Sequence, residues 1–256
     1  MSTRAACGFL ALLIASAAAS QETINLNRSE VAALKAKVVA VQEAMRGEPP
    51  GYVRKEEDSY FLPTAVESTR EGKFWPVVTS VQMRFGDQGT AQAAASIEQY
   101  QQEFMARYTA ALASGDETAI EKLLEEMTAM QTAAAAAALA PAAQKDDMQV
   151  YVQLNMNPIV SIDPDAVVLE QAGVIALRQK GDPAGQKGQV TVYLDPVALA
   201  NSTELSSFEL RTDQDGVTNR TGVYHVVIRI DGALADIESW VQTFDLPAML
   251  AVIDPR

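Results

Sequence analysis

Cysteine is almost absent from this chain: Cys7 is the only one. It precedes the apolar core of the N-terminal segment, whereas a lipid-attachment cysteine would follow it. Histidine is as scarce, with His225 alone. Zinc sites draw on several such ligands, so a structural or catalytic zinc centre is not expected. Phosphate-loop, dinucleotide-binding, nucleophile-elbow and zinc-protease motifs are all missing. Residues 181–188 are glycine-rich but lack the strand-to-helix setting of a phosphate cradle, and they read as a hairpin loop. No cofactor is expected. Basic residues are also few: 20 Lys and Arg stand against 33 Asp and Glu, for a net charge of −13. No basic stripe offsets that field, because Arg54-Lys55 runs at once into Glu56-Glu57-Asp58. Nucleic acids and anionic membrane surfaces would be repelled.

Only one apolar run is long enough to notice, and it lies at the start. Arg4 precedes Phe9-Leu10-Ala11-Leu12-Leu13-Ile14, and small residues follow to Ser20. That order is a secretory signal, with cleavage expected after Ala19 or Ser20. The core is shorter than the ~20 residues a spanning helix needs. Residues 1–20 are therefore read as a signal peptide, and the chain as a soluble periplasmic or secreted protein without a transmembrane segment. Its removal would leave no cysteine, so neither disulfides nor thiolate chemistry is expected. It would also leave 19 basic and 33 acidic residues, a net −14.

Two regions follow, a mainly helical one over 21–143 and a β-rich one over 144–256. In the first, Val31, Leu34, Val38, Val41 and Met45 recur at helical steps after a cap at Asn27 or Ser29. Gly47 and Pro49-Pro50 end that helix. Residues 48–73 read as loop with a short strand near Tyr60. Residues 77–85 alternate as a half-buried strand, closed by a turn at 86–89. Ile97, Tyr100, Phe104, Tyr108 and Leu112 then form one helical stripe, and Ile120, Leu123, Leu124, Met127 and Met130 a second. Ser114 and Glu117 have capping-box spacing between them. The pair reads as a helical hairpin. Its alanine run at 133–138 suits either close helix packing or a helical spacer.

Beyond Pro141 the character changes. Alternation at 148–156 and strand-like runs at 167–177, 190–194, 205–210 and 223–230, with turn residues between, indicate an antiparallel sheet. Asp-Pro at 163, 195 and 254 reads as a strand-ending device. A closing helix is expected at 233–244, with Leu234, Ile237, Val241 and Phe244 inward. The fold class is thus α+β: an N-terminal helix and a helical hairpin with a C-terminal antiparallel sheet and closing helix. Residues 77–85 either join that sheet, making one domain, or leave 141–145 as a linker.

Site candidates are few, and no catalytic or metal residue is assigned. Trp75, Tyr100, Phe104 and Tyr108 are the candidate binding residues, since an aromatic stripe beside Phe74-Trp75 can line a groove for a peptide or apolar ligand. The competing reading of such a stripe is ordinary core. His225 alternates with Tyr224, Val226, Ile228 and Ile230, which places it with Arg229 on the opposite, wetter face. The loop at 213–219 is oxygen-rich, but calcium-loop spacing would put Arg211 first and Gly222 twelfth, where acids belong. A hairpin turn also explains its Asp-Gly. Asn27, Asn201 and Asn219 open glycosylation-type triplets that short polar loops produce by chance.

Three functions are compatible with these residues. The first is a non-catalytic envelope protein that binds or scaffolds a protein or peptide partner. The second is an extracytoplasmic hydrolase using carboxylates or His225. The third is calcium-dependent adhesion through 213–219.

Overall fold

The computed structural model describes residues 22–69, 72–139, 145–179, 181, 187–210 and 216–255, with side chains of 133–139 outside that description. Residues 1–20, the side chains of the alanine run, most of the glycine-rich loop at 181–188, and 213–215 of the oxygen-rich loop lie outside the described residues. In chain order the elements are β1 (Thr23–Asn25), α1 (Arg28–Ala44), β2 (Tyr52–Arg54), β3 (Ser59–Phe61), β4 (Ala65–Glu67), β5 (Thr79–Asp87), α2 (Gln88–Ser114) and α3 (Glu117–Leu139). There follow β6 (Met148–Leu154), β7 (Ile159–Ser161), β8 (Val167–Gln171), β9 (Val174–Gln179), β10 (Lys187–Leu194), β11 (Ser207–Glu209), β12 (Val226–Ala233), α4 (Leu234–Val241) and α5 (Leu246–Leu250). The chain is a mixed α+β structure built on a large antiparallel sheet.

That sheet runs β2-β5-β6-β12-β10-β9-β8, and β3 shares the outer edge of β5 with β2. The strand expected at 77–85 is thus an interior strand, paired with β6 from Thr79↔Leu154 to Phe85↔Met148. β1 pairs with β4, and β11 pairs with β7, in two separate small sheets. The 205–210 run therefore does not join the main sheet.

One face of the sheet is apolar over most of its area, because alternate residues of β5, β6, β10 and β12 are buried there, and Arg178 of β9 at its margin pairs with Glu238. α1, α4, α5 and the turn between the last two cover it with Val38, Val41, Ile237, Trp240, Phe244 and Met249, among others. Trp240 packs edge-to-face on Phe85 at 6.0 Å and on Phe244 at 5.0 Å. α1 begins with a full capping box: Glu30 N donates to Asn27 Oδ1 at 3.0 Å, and Asn27 N donates to Glu30 Oε2 at 2.8 Å. It ends as Arg46 and Gly47 turn left-handed.

The other face changes along the sheet. Ile175, Leu177, Tyr193 and Val227 are buried there beneath Leu199, Phe208 and Leu210. Toward β5 and β6 it is polar and partly open, where Gln82 faces Tyr151 and Tyr151 faces Arg229.

His225 lies just before β12 and is fully buried, which corrects the expectation of a surface position. In-out alternation fails at this end because the sheet is covered on both faces. Its Nε2 donates to the Met156 carbonyl at 2.6 Å, so the proton sits on that nitrogen. The Asp-Pro sites divide. Asp163 caps one turn of 3-10 helix at Pro164–Ala166, and buried Asp195 ends β10 by accepting from Val197 N and Ala198 N, each at 2.9 Å. Asp254 ends no strand. It accepts from Val223 N at 2.8 Å and pairs with Lys37, tying α1 to the segment before β12.

Candidate functional site

β5 passes into α2 without a loop, correcting the turn expected at 86–89. Asp87 makes the junction: its Oδ2 accepts from Thr90 N at 2.8 Å and from Thr90 Oγ1 at 3.0 Å, which caps the first turn. These bonds, the backbone N–H first, hold the Asp87 carboxyl below the usual carboxylate range. Asp245 is held low in the same direction by Arg46 and by Ala248 N at the start of α5. Such groups contribute stability above the ordinary aspartate pKa of ~3.9 and lose it as pH falls through their lower folded values. The melting temperature is expected to drop below about pH 4. Calorimetry on Asp87→Asn with Asp245→Asn should show a shallower acid limb. At pH 7, Asp87→Ala is expected to lower the melting temperature by roughly 2–4 °C, the scale for losing one helix cap in a chain this long.

At the far end, Gly115 takes φ 69° and closes α2. Asp116, not Ser114, caps α3, with Ala119 N donating to its Oδ1 at 3.0 Å. Ser114 instead donates back to the Ala111 carbonyl at 3.0 Å. The two helices form an arm. α2 alone rises roughly 40 Å at 1.5 Å per residue, and outside α3 its main neighbours are β5 and β2, both at its base.

The seam between the helices is narrow. Between residues 88 and 132 only Phe104, Ala111 and Leu123 are buried. Tyr100, Tyr108, Ile120 and Met127 pack partly against them. Tyr100, Phe104 and Tyr108 stack along α2 at 6.4 and 5.9 Å between ring centres. Much apolar surface stays outside: Ile97 is 42% exposed, Met105 58%, Leu112 54% and Leu124 43%.

On one side of the seam lies a groove of about 390 Å³, lined by Ile97, Tyr100, Phe104, Met105, Met127 and Met130, with Gln101 and Gln131 at its rim. The structure thus brings two candidate residues, Tyr100 and Phe104, to one apolar groove. Tyr108 extends their stack beyond it. Trp75 does not join them: it follows β4, is 39% exposed, and its N–H donates to the Glu67 carbonyl at 3.0 Å. Met105 was missed from the sequence because it lies off the aromatic stripe. Its signal was its place seven residues before Leu112, on the flank of that same stripe.

Few buried contacts hold this arm, so its amides are expected to exchange with solvent at least about ten-fold faster than those of β6 and β12. Hydrogen exchange read by mass spectrometry would check this. Protection equal to the sheet's would show that the arm is stable without further contacts.

The polar sheet face carries a further concave surface. A depression of about 940 Å³ is lined by Lys145, Asp147, Gln149, Lys187, Gln189 and Asp231, among others. Its groups largely satisfy one another. Lys187 pairs with Asp146 at 2.9 Å, Lys55 with Asp147 at 2.8 Å, and Gln189 donates to Asp231 at 2.6 Å. Beside it, Tyr52 donates to Asp236 at 2.9 Å under Lys145, and burial with that bond raises its phenol well above its ordinary pKa. Among the described residues no group of three or more His, Cys, Asp and Glu is placed to hold a metal ion, and no helix is long and apolar enough to cross a membrane. The chain matches no family model, no curated protein and no solved structure.

Proposed function

We propose that this chain is an exported, non-catalytic binding protein of the cell envelope that engages a protein partner through the α2–α3 arm. The observation that carries the reading is the uncovered apolar groove at Ile97, Met105, Met127 and Met130. An amphipathic helix gains stability by burying its apolar stripe against another element. Here each helix buries only part of its stripe on the other, and methionines suit a surface that must adapt to a guest. Export rests on the order of residues 1–20.

Two measurements test this. Cell fractionation with N-terminal sequencing is expected to find the chain outside the cytosol, starting at Ser20 or Gln21. A photo-reactive amino acid at Met105 is expected to form one dominant adduct in the envelope, lost in Ile97→Glu. An intact N-terminus in the cytosol removes the export claim. Absence of any adduct from the groove removes the partner claim.

A further inference from the structure

The surroundings of the groove say what kind of partner fits. Between residues 88 and 132 the arm carries Glu98, Glu103, Asp116, Glu117, Glu121, Glu125 and Glu126 against Arg107 and Lys122, seven acids to two bases. Arg107 is already paired with Glu126 at 3.1 Å. The groove's own lining carries no charge, so the negative field comes from the arm as a whole, with Asp116, Glu117 and Glu121 toward its tip.

Charge separates the occupants. A second copy would bring the same acidic arm from a chain of net charge −13, and like charges across an interface oppose association. A cationic partner gains from the field. The geometry asks for a helix, because two helices that leave a shared groove are completed by a third laid along it. From Ile97 to Met105 the groove runs about 12 Å, close to the reach of anchors at i, i+3, i+4 and i+7 on a guest helix.

We propose that the groove receives the apolar face of a basic amphipathic helix, whose Lys and Arg flanks meet the acids of α2 and α3. This rests on the partner-docking reading above and adds the chemistry of the partner. Long cationic side chains can lay their methylene stems on the rim while their charged ends stay in water.

The test uses the purified protein and three synthetic peptides of about 18 residues, five helical turns. The first has leucines at i, i+3, i+4 and i+7 with lysines elsewhere. The second has the same composition with the leucines scattered around the helix. The third keeps the leucine stripe and replaces lysine by glutamate. Fluorescence anisotropy is expected to show the first binding at least ten-fold tighter than either other peptide, and weakening as salt rises from about 50 to 500 mM. Met105→Glu and Met130→Asp are expected to weaken it ten-fold or more, while Leu124→Asp, off the groove, leaves it unchanged. Melting temperatures confirm that the variants fold.

Equal binding of the first and second peptides would mean bulk charge attraction and overturn the proposal. Preference for the glutamate peptide would overturn the basic partner while leaving a helix-docking arm. A dimer by sedimentation equilibrium that Met105→Glu dissociates would make the occupant a second copy. No binding by any peptide also overturns the proposal, and the cross-linking outcome then decides separately whether the arm has a partner at all.

Discussion

Replacing Asn155 by alanine is expected to destabilise the fold by about 3–5 kcal/mol, from several buried polar groups left unpaired at ~1–3 kcal/mol each. Asn155 follows β6, is buried, and adopts φ 59°. Its Nδ2 donates to the Val77 carbonyl at 3.0 Å and to the Gly222 carbonyl at 2.8 Å, and its Oδ1 accepts from Tyr224 N at 2.9 Å. Its own N–H donates to the His225 carbonyl at 3.1 Å. One side chain thus joins the approach to β5, the end of β6 and the approach to β12. Variants separate backbone from side chain. Asn155→Gly relieves the left-handed conformation and should recover part of the loss, up to ~1 kcal/mol. Asn155→Asp should be the worst of the three at pH 7, because a carboxylate would face two carbonyl oxygens. Its deficit should shrink as pH falls and the acid gains a proton to donate. Urea melts at pH 7 and pH 4 would show this order; equal stability of all three variants would refute it.

Trp240→Ala is expected to cost about 3–5 kcal/mol, a fall of roughly 6–20 °C in melting temperature at ~2–4 °C per kcal/mol. Trp240 is among the largest fully buried side chains and fills the space between α4 and the sheet, against Phe85 and Phe244. Alanine leaves a cavity that both rings line. Trp240→Phe keeps an edge-to-face partner for each and should lose less than half as much. Differential scanning calorimetry of the two variants provides the measurement. A loss under about 1 kcal/mol for alanine would mean that α4 collapses onto the sheet without it.

These two residues mark where reading the sequence works and where it stops. Alternation in 77–85 and 148–156 is visible because each strand has one dry face under α1 and α4. The stripe Leu34, Val38, Val41 of α1 is visible for the same reason. Trp240 lies one helical step beyond Ile237, yet the stripe Leu234, Ile237, Val241, Phe244 accounts for a helix without it. Asn155 has no local pattern: its partners are 67 to 78 residues away in sequence. His225 misleads because alternation assumes one wet face, and residues 195–210 cover that face at this end. The start of α2 is hidden because residues 88–96 contain only Gln, Gly, Thr, Ala and Ser, which have no apolar period to detect. For the groove, the aromatic stripe of α2 and the methionines of α3 are both legible. Which of their flanks stays uncovered depends on how the helices meet. Trp75 stands near the arm in sequence only.

The direct passage of β5 into α2 has a mechanical consequence. No slack chain separates the tip at Gly115 from the strand, and that strand is hydrogen-bonded on both sides. Load taken up at the tip travels along α2, through the Asp87 junction, and into the interior of the sheet instead of its rim. A tether gripping this lever would therefore pull on a strand paired along both of its edges.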